Sequence, residues 1–169
     1  MLIRPAVVAD STAILEIYNH EVRTSVVTFD LVPRTEAEQR TWITDRSGAH
    51  AVLVAVVEGE DGTVGADIII GFGALSPYRE RPGYSTTVED SVYVRGDHRG
   101  QGVGRLLLGA LVETATAHGF HALMAKIVGG HEASITLHAA AGFEVVGNER
   151  EVGRKFGRWH DVVLMERLL

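Results

Sequence analysis

The sequence predicts a single α/β domain over residues 1–169, and three observations lead to this prediction. Four stretches carry helix signals, either apolar residues at helical spacing or a capping or terminating residue, at 10–22, 35–46, 101–119 and 132–141. Seven short stretches are rich in apolar and β-branched residues, which predicts strands at 1–4, 51–57, 68–75, 88–94, 122–128, 143–146 and 161–165. No repeat, low-complexity tract or linker divides the chain, so one domain can hold all of these elements.

The predicted helices have start and stop signals in the sequence. One of the residues 10–12 can cap the first helix. Thr35 and Glu38 have the spacing of a capping box, which predicts the start of the second helix. The third helix is expected to stop near Gly119, and Gly142 is a natural left-handed terminator for the fourth.

The predicted strands differ in what their sequences say about burial. The stretch 51–57 is continuously apolar, which predicts a buried strand, and residues 59–65 supply turn chemistry after it. Gly71 and Gly73 predict a bulge in the next strand, or the close approach of another backbone. Between the last two strands we expect a polar loop that carries Lys155, Phe156 and Trp159.

Composition excludes several classes of function. With a net charge of −6 the protein is expected to be a poor nucleic-acid binder, because phosphate neutralisation needs clustered Lys and Arg. The chain has no cysteine, which excludes disulfides, thiolate metal sites and a cysteine nucleophile. Its eight histidines show no metal-ligand spacing, so no metal site is predicted. No apolar run reaches the ~20 residues of a membrane span, and no signal peptide is recognised, so we expect a cytoplasmic protein without a membrane partner.

The run Arg99-Gly100-Gln101-Gly102-Val103-Gly104 lies between a predicted strand and a predicted helix. Its glycines bare the backbone, and a helix N-terminus offers unpaired N–H donors with partial positive charge, which together suit a pyrophosphate. Arg99 and Arg105 can add direct charge. The spacing rejects a dinucleotide fingerprint, and the Gly-Lys-Ser/Thr of a nucleotide-triphosphate loop is absent. A glycine-rich connection without any ligand is the alternative reading of this run.

This run resembles the acetyl-CoA signature of the GNAT acetyltransferases. Blocks across the chain are similar, within that superfamily, to the phosphinothricin and methionine sulfoximine N-acetyltransferases, notably 3–6, 17–19, 28–29, 87–94, 134–138, 142–143 and 153–161. The resemblance implies a mixed, mostly antiparallel sheet with helices on both faces and a splay at the strand before the glycine run. It also implies acetyl-CoA as donor, a small amino acid or analogue as acceptor, direct attack in a ternary complex, and a homodimer.

The resemblance assigns the donor site to the strand, the glycine run and the fourth helix. Backbone amides of the strand are expected to hold the acetyl carbonyl and the pantetheine arm. His131 stands where many members of the superfamily have an asparagine that contacts the donor. The implied donor-binding residues are Val92, Tyr93, Val94, Arg99, Gly100, Gln101, Gly102, Val103, Gly104, Arg105, His131 and Ser134.

Two residues are candidates for the chemistry. Acetyl transfer needs a neutral amine, so a general base helps, and Glu89 is a carboxylate in an otherwise apolar strand where the resemblance also places the base. A surface glutamate at a strand end is the alternative. His138 follows His131 by seven residues, where related enzymes often have the tyrosine that protonates the leaving thiolate. Its imidazole could serve as acid or orient the amine, or it could be a helical histidine packed against the core.

The acceptor site is expected in the loop before Glu89 and on two other segments. A guanidinium can bind a carboxylate with paired hydrogen bonds, and a free amino acid has one beside its amine. The resemblance implies that Arg79 binds this carboxylate and that Phe29 forms a wall of the pocket. It also implies that the loop carrying Lys155 reaches across a dimer interface. The candidate acceptor residues are Phe29, Tyr78, Arg79, Arg81, Tyr84 and Lys155.

Two other functions remain open at this point. The acceptor could be another amine, such as a protein N-terminus, a polyamine or an aminoglycoside, although two loop arginines would repel polycations. A non-catalytic acyl-CoA sensor would keep the glycine run but would not need Glu89 or His138.

Overall fold

The computed structural model describes residues 1–46, 48–58 and 67–169, which form a seven-stranded sheet and four α-helices. The strands are β1 (Leu2–Pro5), β2 (Val52–Glu58), β3 (Asp67–Pro77), β4 (Thr87–Val94), β5 (Ala122–Val128), β6 (Glu144–Lys155) and β7 (Arg158–Leu168). The helices are α1 (Ser11–Thr24), α2 (Glu36–Thr44), α3 (Val103–Ala117) and α4 (Glu132–Ala140). The turn predicted over 59–65 lies outside the described residues. Over those ranges, no helix is long and apolar enough to cross a membrane.

The sheet is mixed and mostly antiparallel, as predicted. Its strand order is β1-β2-β3-β4-β5-β7-β6, and within the described strands only β4 and β5 pair in parallel. These two strands share just three residue pairs, from Thr87 opposite Ala122 to Glu89 opposite Met124. Beyond Glu89 the two strands separate, which confirms the predicted splay. The opening therefore lies in the middle of the sheet rather than at its edge.

Helices cover both faces of the sheet and bury a core on each. Leu53 and Ala55 of β2 point into the core under α3, whereas Val54 and its neighbours at 52 and 56 point into the core under α1 and α2. This alternation follows from the two-residue period of a strand. It explains why β2 reads as a continuous apolar run, because both of its faces are buried.

Gly71 and Gly73 lie in β3 at the point where α3 packs on the sheet. The β2–β3 register shifts opposite Gly71, which confirms the predicted bulge. A Cβ atom on Gly71 would lie 2.9 Å from the Tyr93 carbonyl oxygen and 3.2 Å from Leu107 Cδ1, and one on Gly73 would lie 2.8 Å from Leu111 Cδ1. Glycine at these positions therefore allows α3 to pack closely against the sheet.

The helix boundaries follow the predicted capping signals closely. The Thr35 hydroxyl accepts a hydrogen bond from Glu38 N at 3.3 Å, and the Glu38 carboxylate accepts one from Thr35 N at 2.7 Å, which confirms the capping box. Helix α3 starts at Val103, two residues later than predicted, because Gly102 has a left-handed φ of +84°. Gly142 also has a φ of +84° and terminates α4 as expected.

The polar loop expected between the last two strands is a β-hairpin, so that prediction is wrong. Strands β6 and β7 run as far as Lys155 and from Arg158, with only Phe156-Gly157 between them. Phe156 and Gly157 have φ values of +50° and +75°, the positive pair that two-residue hairpin turns of type I′ need. Strand β6 forms the sheet edge and is mostly exposed, so its sequence lacks the alternation by which strands are recognised.

Candidate active site

A cleft of about 880 Å³ opens where β4 and β5 separate. It brings together most of the candidate residues, namely Phe29, Tyr78, Arg79, Glu89, Val92, Tyr93, Val94, Arg99, Gly100, Gly102, Val103, Gly104, Arg105, His131, Ser134 and His138. Four candidates are not among the lining residues, and these are Arg81, Tyr84, Gln101 and Lys155. The sequence did not single out Glu21, Asp90 or Lys126, which also line the cleft.

The splayed edge of β4 presents backbone donors to the cleft. Arg95 N donates to Ile70 O of β3 at 2.9 Å, which fixes the direction of the peptide groups at the end of β4. Because successive residues of a strand direct their N–H groups to opposite edges, the amides of Val92 and Val94 face the opening. The side chain of Tyr93 instead stacks on Phe72 with ring centroids 5.0 Å apart, and burial raises the pKa of its phenol. Packing thus holds the Tyr93 ring, while the segment offers the backbone amides of Val92 and Val94 to a ligand.

The glycine run forms an anion cradle at the start of α3. Gly100 and Gly102 have φ values of +74° and +84°, in the left-handed region that favours glycine. The helical ladder begins with Leu106 N donating to Gly102 O at 3.1 Å, so the N–H groups of residues 103–105 have no acceptor within the helix. A Cβ on Gly104 would lie 3.2 Å from Leu137 Cδ2. The three free donors and the helix dipole fit a pyrophosphate.

An ion pair joins the glycine run to the first helix. The Arg99 guanidinium contacts the carboxylate of Glu21, whose side chain is only 5% exposed. Arg99 Nε also donates to Val94 O at 3.2 Å. Glu21 lies on the buried face of α1 with Ile17 and Val22, and a charged residue on such a stripe was a signal that sequence reasoning missed.

Glu89 lies in polar rather than apolar surroundings. Its carboxylate is 2.7 Å from Lys126 Nζ, and its side chain is 27% exposed. The same ammonium lies 5.3 Å from the centre of the Tyr78 ring, in the range of a cation–π contact. Lys126 is the one charged residue in the apolar strand β5, and this pattern could have identified it from the sequence.

Arg79 lies at the mouth of the cleft, on two tyrosine rings. Its Nη2 donates to the Tyr78 hydroxyl at 3.1 Å, and its Nη1 donates to the Tyr84 hydroxyl at 3.4 Å. The guanidinium carbon lies 4.8 Å and 5.2 Å from the two ring centres. Tyr84 therefore contacts Arg79 but does not itself line the cleft. Arg81 is exposed and lies outside the lining.

The C-terminal hairpin supports the wall that Phe29 forms. Gly153 packs so tightly on Phe29 that a Cβ atom there would overlap the ring. Lys155 is 3% exposed and its Nζ donates to Thr28 O at 2.7 Å. Burial lowers the pKa of Lys155, although Asp30 and Glu21 oppose the shift. Within one chain, Lys155 thus holds the wall and does not reach into the cleft.

His131 caps helix α4 and lines the cleft. Its Nδ1 accepts a hydrogen bond from Ser134 N at 3.2 Å, so this nitrogen carries no proton. The neutral ring then carries its proton at Nε2, which leaves a donor for other contacts.

His138 is buried at the wall of the cleft and is paired with Asp90. Its Nε2 is 3.1 Å from Asp90 Oδ2, and its Nδ1 is 2.8 Å from Ser134 O. Burial alone would lower the pKa of His138, but the hydrogen bond and charge of Asp90 outweigh it and raise this pKa above its ordinary value. Asp90 follows Glu89 in β4 and is a buried carboxylate that the sequence did not single out. Among the described residues, no cluster of His, Asp and Glu could hold a metal ion.

Comparison with known proteins agrees with this geometry. A family model described as "Acetyltransferase (GNAT) domain" matches residues 3–164. The chain is 41% identical over 170 residues to a phosphinothricin N-acetyltransferase of Streptomyces coelicolor, covering 99% of this chain and 95% of that protein. It is 40% identical over 165 residues to an L-methionine sulfoximine/L-methionine sulfone acetyltransferase of Pseudomonas aeruginosa, covering 97% and 92%.

Solved structures have the same fold over nearly the whole chain. A phosphinothricin acetyltransferase from Sinorhizobium meliloti in complex with AcCoA matches with a TM-score of 0.91 and 39% identity, covering 99% of this chain and 88% of that one. A ribosomal-protein-alanine N-acetyltransferase from Brucella melitensis matches with a TM-score of 0.92 and 37% identity over 100% of both chains. These matches confirm the resemblance seen in the sequence blocks. The chain belongs to the GNAT family of acetyltransferases.

Proposed function

We propose that this enzyme transfers an acetyl group from acetyl-CoA to the α-amino group of a small amino acid or analogue, of the phosphinothricin or methionine sulfoximine kind. The observation that carries the proposal is one continuous cleft with an anion cradle at one end, a carboxylate in the middle and an arginine at the other. The reaction would proceed by direct attack, because the cysteine-free chain lacks the commonest covalent acyl carrier. The phosphinothricin and methionine sulfoximine acetyltransferases at 40–41% identity support the same acceptor class.

The donor end would bind acetyl-CoA mainly through backbone groups. Acetyl-CoA supplies an activated thioester carbonyl. The N–H groups of residues 103–105 would bind the pyrophosphate, and the guanidinium groups of Arg99 and Arg105 would add charge. The amides of Val92 and Val94 would donate to the pantetheine arm and to the acetyl oxygen, where they would stabilise the developing negative charge.

Glu89 would remove the proton of the incoming amine. An α-amino group with a pKa near 8 is mostly protonated at neutral pH, so it must lose a proton before it can attack. Glu89 lies between the donor cradle and Arg79, and its carboxylate is held by Lys126 at 2.7 Å. The proton would pass to this carboxylate directly or through one water molecule.

Arg79 and Phe29 would select the acceptor. The guanidinium of Arg79 is held against Tyr78 and Tyr84 and can bind the α-carboxylate of an amino acid. Phe29 would form the apolar wall beside the side chain of the acceptor. This arrangement would direct the amine towards Glu89.

A protein N-terminus is a second candidate acceptor, because a structure with 37% identity is described as a ribosomal-protein-alanine N-acetyltransferase. An N-terminal residue of a protein has an amide where a free amino acid has its carboxylate. Arg79 would then have no charged partner, which favours the free amino acid.

Release of free thiol from acetyl-CoA would test these alternatives. The amine panel consists of phosphinothricin, methionine sulfoximine, the common amino acids, an amino-acid amide, a peptide with N-terminal alanine, a polyamine and an aminoglycoside. We expect release with free amino acids or the two analogues, and at least tenfold lower kcat/KM with the amide. Release with the peptide alone would favour the second candidate. Acetyl-CoA binding without release with any amine would instead indicate a sensor.

We further propose a homodimer, which rests on the family resemblance. The exposed aromatic residues at the hairpin, Phe156 and Trp159, would suit such an interface. Light scattering at several protein concentrations would measure the mass in solution. A mass of one chain at all concentrations would contradict the proposal. The cytoplasmic location stays a prediction from the sequence.

A further inference from the structure

The two ring nitrogens of His138 both face hydrogen-bond acceptors. Nδ1 lies 2.8 Å from the carbonyl oxygen of Ser134, which can only accept, and 3.4 Å from the Ser134 hydroxyl, so the shorter contact places a proton on Nδ1. Nε2 lies 3.1 Å from Asp90 Oδ2, and this contact needs a further proton between the two atoms. The pair therefore holds one proton more than a neutral histidine beside an ionised aspartate would hold.

Burial adds a second reason for this extra proton. The side chains of Asp90 and His138 are 1% and 5% exposed, and Asp90 Oδ1 has no hydrogen-bond partner among the described residues. An ionised carboxylate in such a place is costly unless a positive charge lies beside it. The ring of His138 also packs edge-on against Phe143 at 5.1 Å, which excludes water from that side. A protonated His138 is the compensation that the geometry offers.

We propose that Asp90 is a positioning residue that fixes the ring of His138 and holds a second proton on it at the wall of the cleft. Its role in turnover rests on the proposed function, whereas the extra proton does not. His138 would then be an acid that is already charged before the acceptor binds. Asp90 acts through His138 and needs no contact with the reacting atoms.

The extra proton has a defined place in the transfer. The carbon–nitrogen bond of the product forms and the carbon–sulfur bond breaks. The electron pair left on sulfur takes one proton from the charged ring of His138, which leaves a neutral imidazole beside Asp90. The proton lost by the amine goes to Glu89. The pair regains its proton from solvent when the products leave.

Other charged groups on the elements around His138 have their own partners or are at least partly exposed. Glu89 of β4 pairs with Lys126 of β5, and Arg167 of β7 binds the Ala141 carbonyl. His131 caps α4, Arg105 of α3 and Glu132 of α4 are exposed, and Glu166 of β7 is half-buried. Within the described part of the chain, Asp90 is the one charged side chain that contacts His138.

Titration of the histidine ring protons by NMR tests the extra proton without any substrate. Of the eight histidines, His138 is assigned as the signal lost in His138→Gln. We expect its midpoint in the wild-type protein to lie above the ordinary value of about 6.5. In Asp90→Asn, which keeps the shape but removes the charge, the charged ring loses its partner, and the midpoint should fall by roughly 1–3 pH units. Asp45→Asn, at an exposed carboxylate outside the cleft, is the matched control and should leave it unchanged.

The pH profile of kcat separates positioning from a merely structural role. Loss of the second proton should move the basic limb of the Asp90→Asn profile to lower pH by the same amount. A structural role would instead lower kcat by one factor at all pH values. Asp90→Ser provides a second uncharged variant if Asp90→Asn does not fold.

Two results would overturn the proposal. The first is a wild-type midpoint for His138 below about 6.5, and the second is an unchanged midpoint in both Asp90 variants. Absence of turnover in the wild-type protein would contradict the proposed function, while the NMR titration would still decide whether the proton pair exists.

Discussion

The two ends of the cleft are built in different ways. The proposed donor end consists mainly of backbone groups from one continuous segment, the end of β4, the glycine run and the first turn of α3. The proposed acceptor end consists of side chains from separate parts of the chain, namely Phe29, Tyr78, Arg79 and Lys126. A backbone site depends on φ and ψ angles, whereas a side-chain site depends on long-range packing. Substitutions should therefore affect the binding of the two substrates separately, and four variants test this separation.

The largest effect is expected from Glu89→Gln, which removes the carboxylate between the two ends. We expect kcat to fall by roughly 10²–10⁴-fold, because the amine loses its proton acceptor. The Kd for acetyl-CoA, measured by calorimetry, should hardly change. Glu80→Gln, at an exposed glutamate in the segment before β4, is the matched control. Wild-type turnover in Glu89→Gln would rule out the role of base.

Arg79→Met should weaken the acceptor end alone. A hydrogen bond to a charged group contributes about 1.5–3 kcal/mol, so kcat/KM for the amino acid should fall by about 10–100-fold. Steady-state kinetics with the free amino acid and with its amide would measure this loss, which should be much smaller for the amide. Arg81→Met changes the same kind of residue outside the lining and should have little effect. Equal losses in both variants would contradict a specific role of Arg79 in binding the acceptor carboxylate.

Gly102→Ala should weaken the donor end alone. Alanine at a φ of +84° costs roughly 1–2 kcal/mol, so the Kd for acetyl-CoA should rise by about tenfold. Gly109→Ala lies in the middle of α3, where a Cβ would meet no atom within 4 Å. That control should bind acetyl-CoA normally and unfold at a slightly higher temperature. A parallel rise in the KM of the amino acid would show that the two ends are not separate.

Gly153→Ala should have the smallest effect on turnover, because it reaches the acceptor end indirectly. The new methyl group overlaps the ring of Phe29 and must displace it. Overpacking of this kind costs about 1–3 kcal/mol of stability, and the KM of the amino acid should rise while that of acetyl-CoA stays constant. Thermal unfolding and kinetics would measure both. Gly147→Ala in the same strand meets Leu164 at an ordinary 3.5 Å and should resemble the wild type.

The donor end was predictable because its geometry is local. The glycine run predicted an exposed backbone at the start of a helix, and Gly100 and Gly102 lie there with left-handed φ values. The splay followed from the family resemblance, and β4 and β5 indeed share only three residue pairs. Gln101 is the exception, since its side chain donates to Asp97 O at 3.1 Å and lies outside the lining.

The acceptor end was only partly predictable because tertiary packing decides it. The neighbouring sequence does not show that the Tyr84 hydroxyl accepts a hydrogen bond from Arg79, or that Lys155 is buried against residue 28. The hairpin that buries Lys155 could not be predicted from the sequence. An edge strand is held by backbone hydrogen bonds and needs no apolar face, so no apolar pattern marks it. Asp90 and Lys126 were visible as charged residues in apolar strands, but their partners come from other elements.

The contact between the hairpin and Phe29 also has a consequence for the order of synthesis. Residues 28 and 29 leave the ribosome well before Gly153 and Lys155, the latter 127 positions beyond Thr28. A nascent chain that ends before β6 already contains the glycine run, but it lacks the residues that pack on Phe29. The cleft wall that Phe29 forms is thus completed later in synthesis than the glycine run.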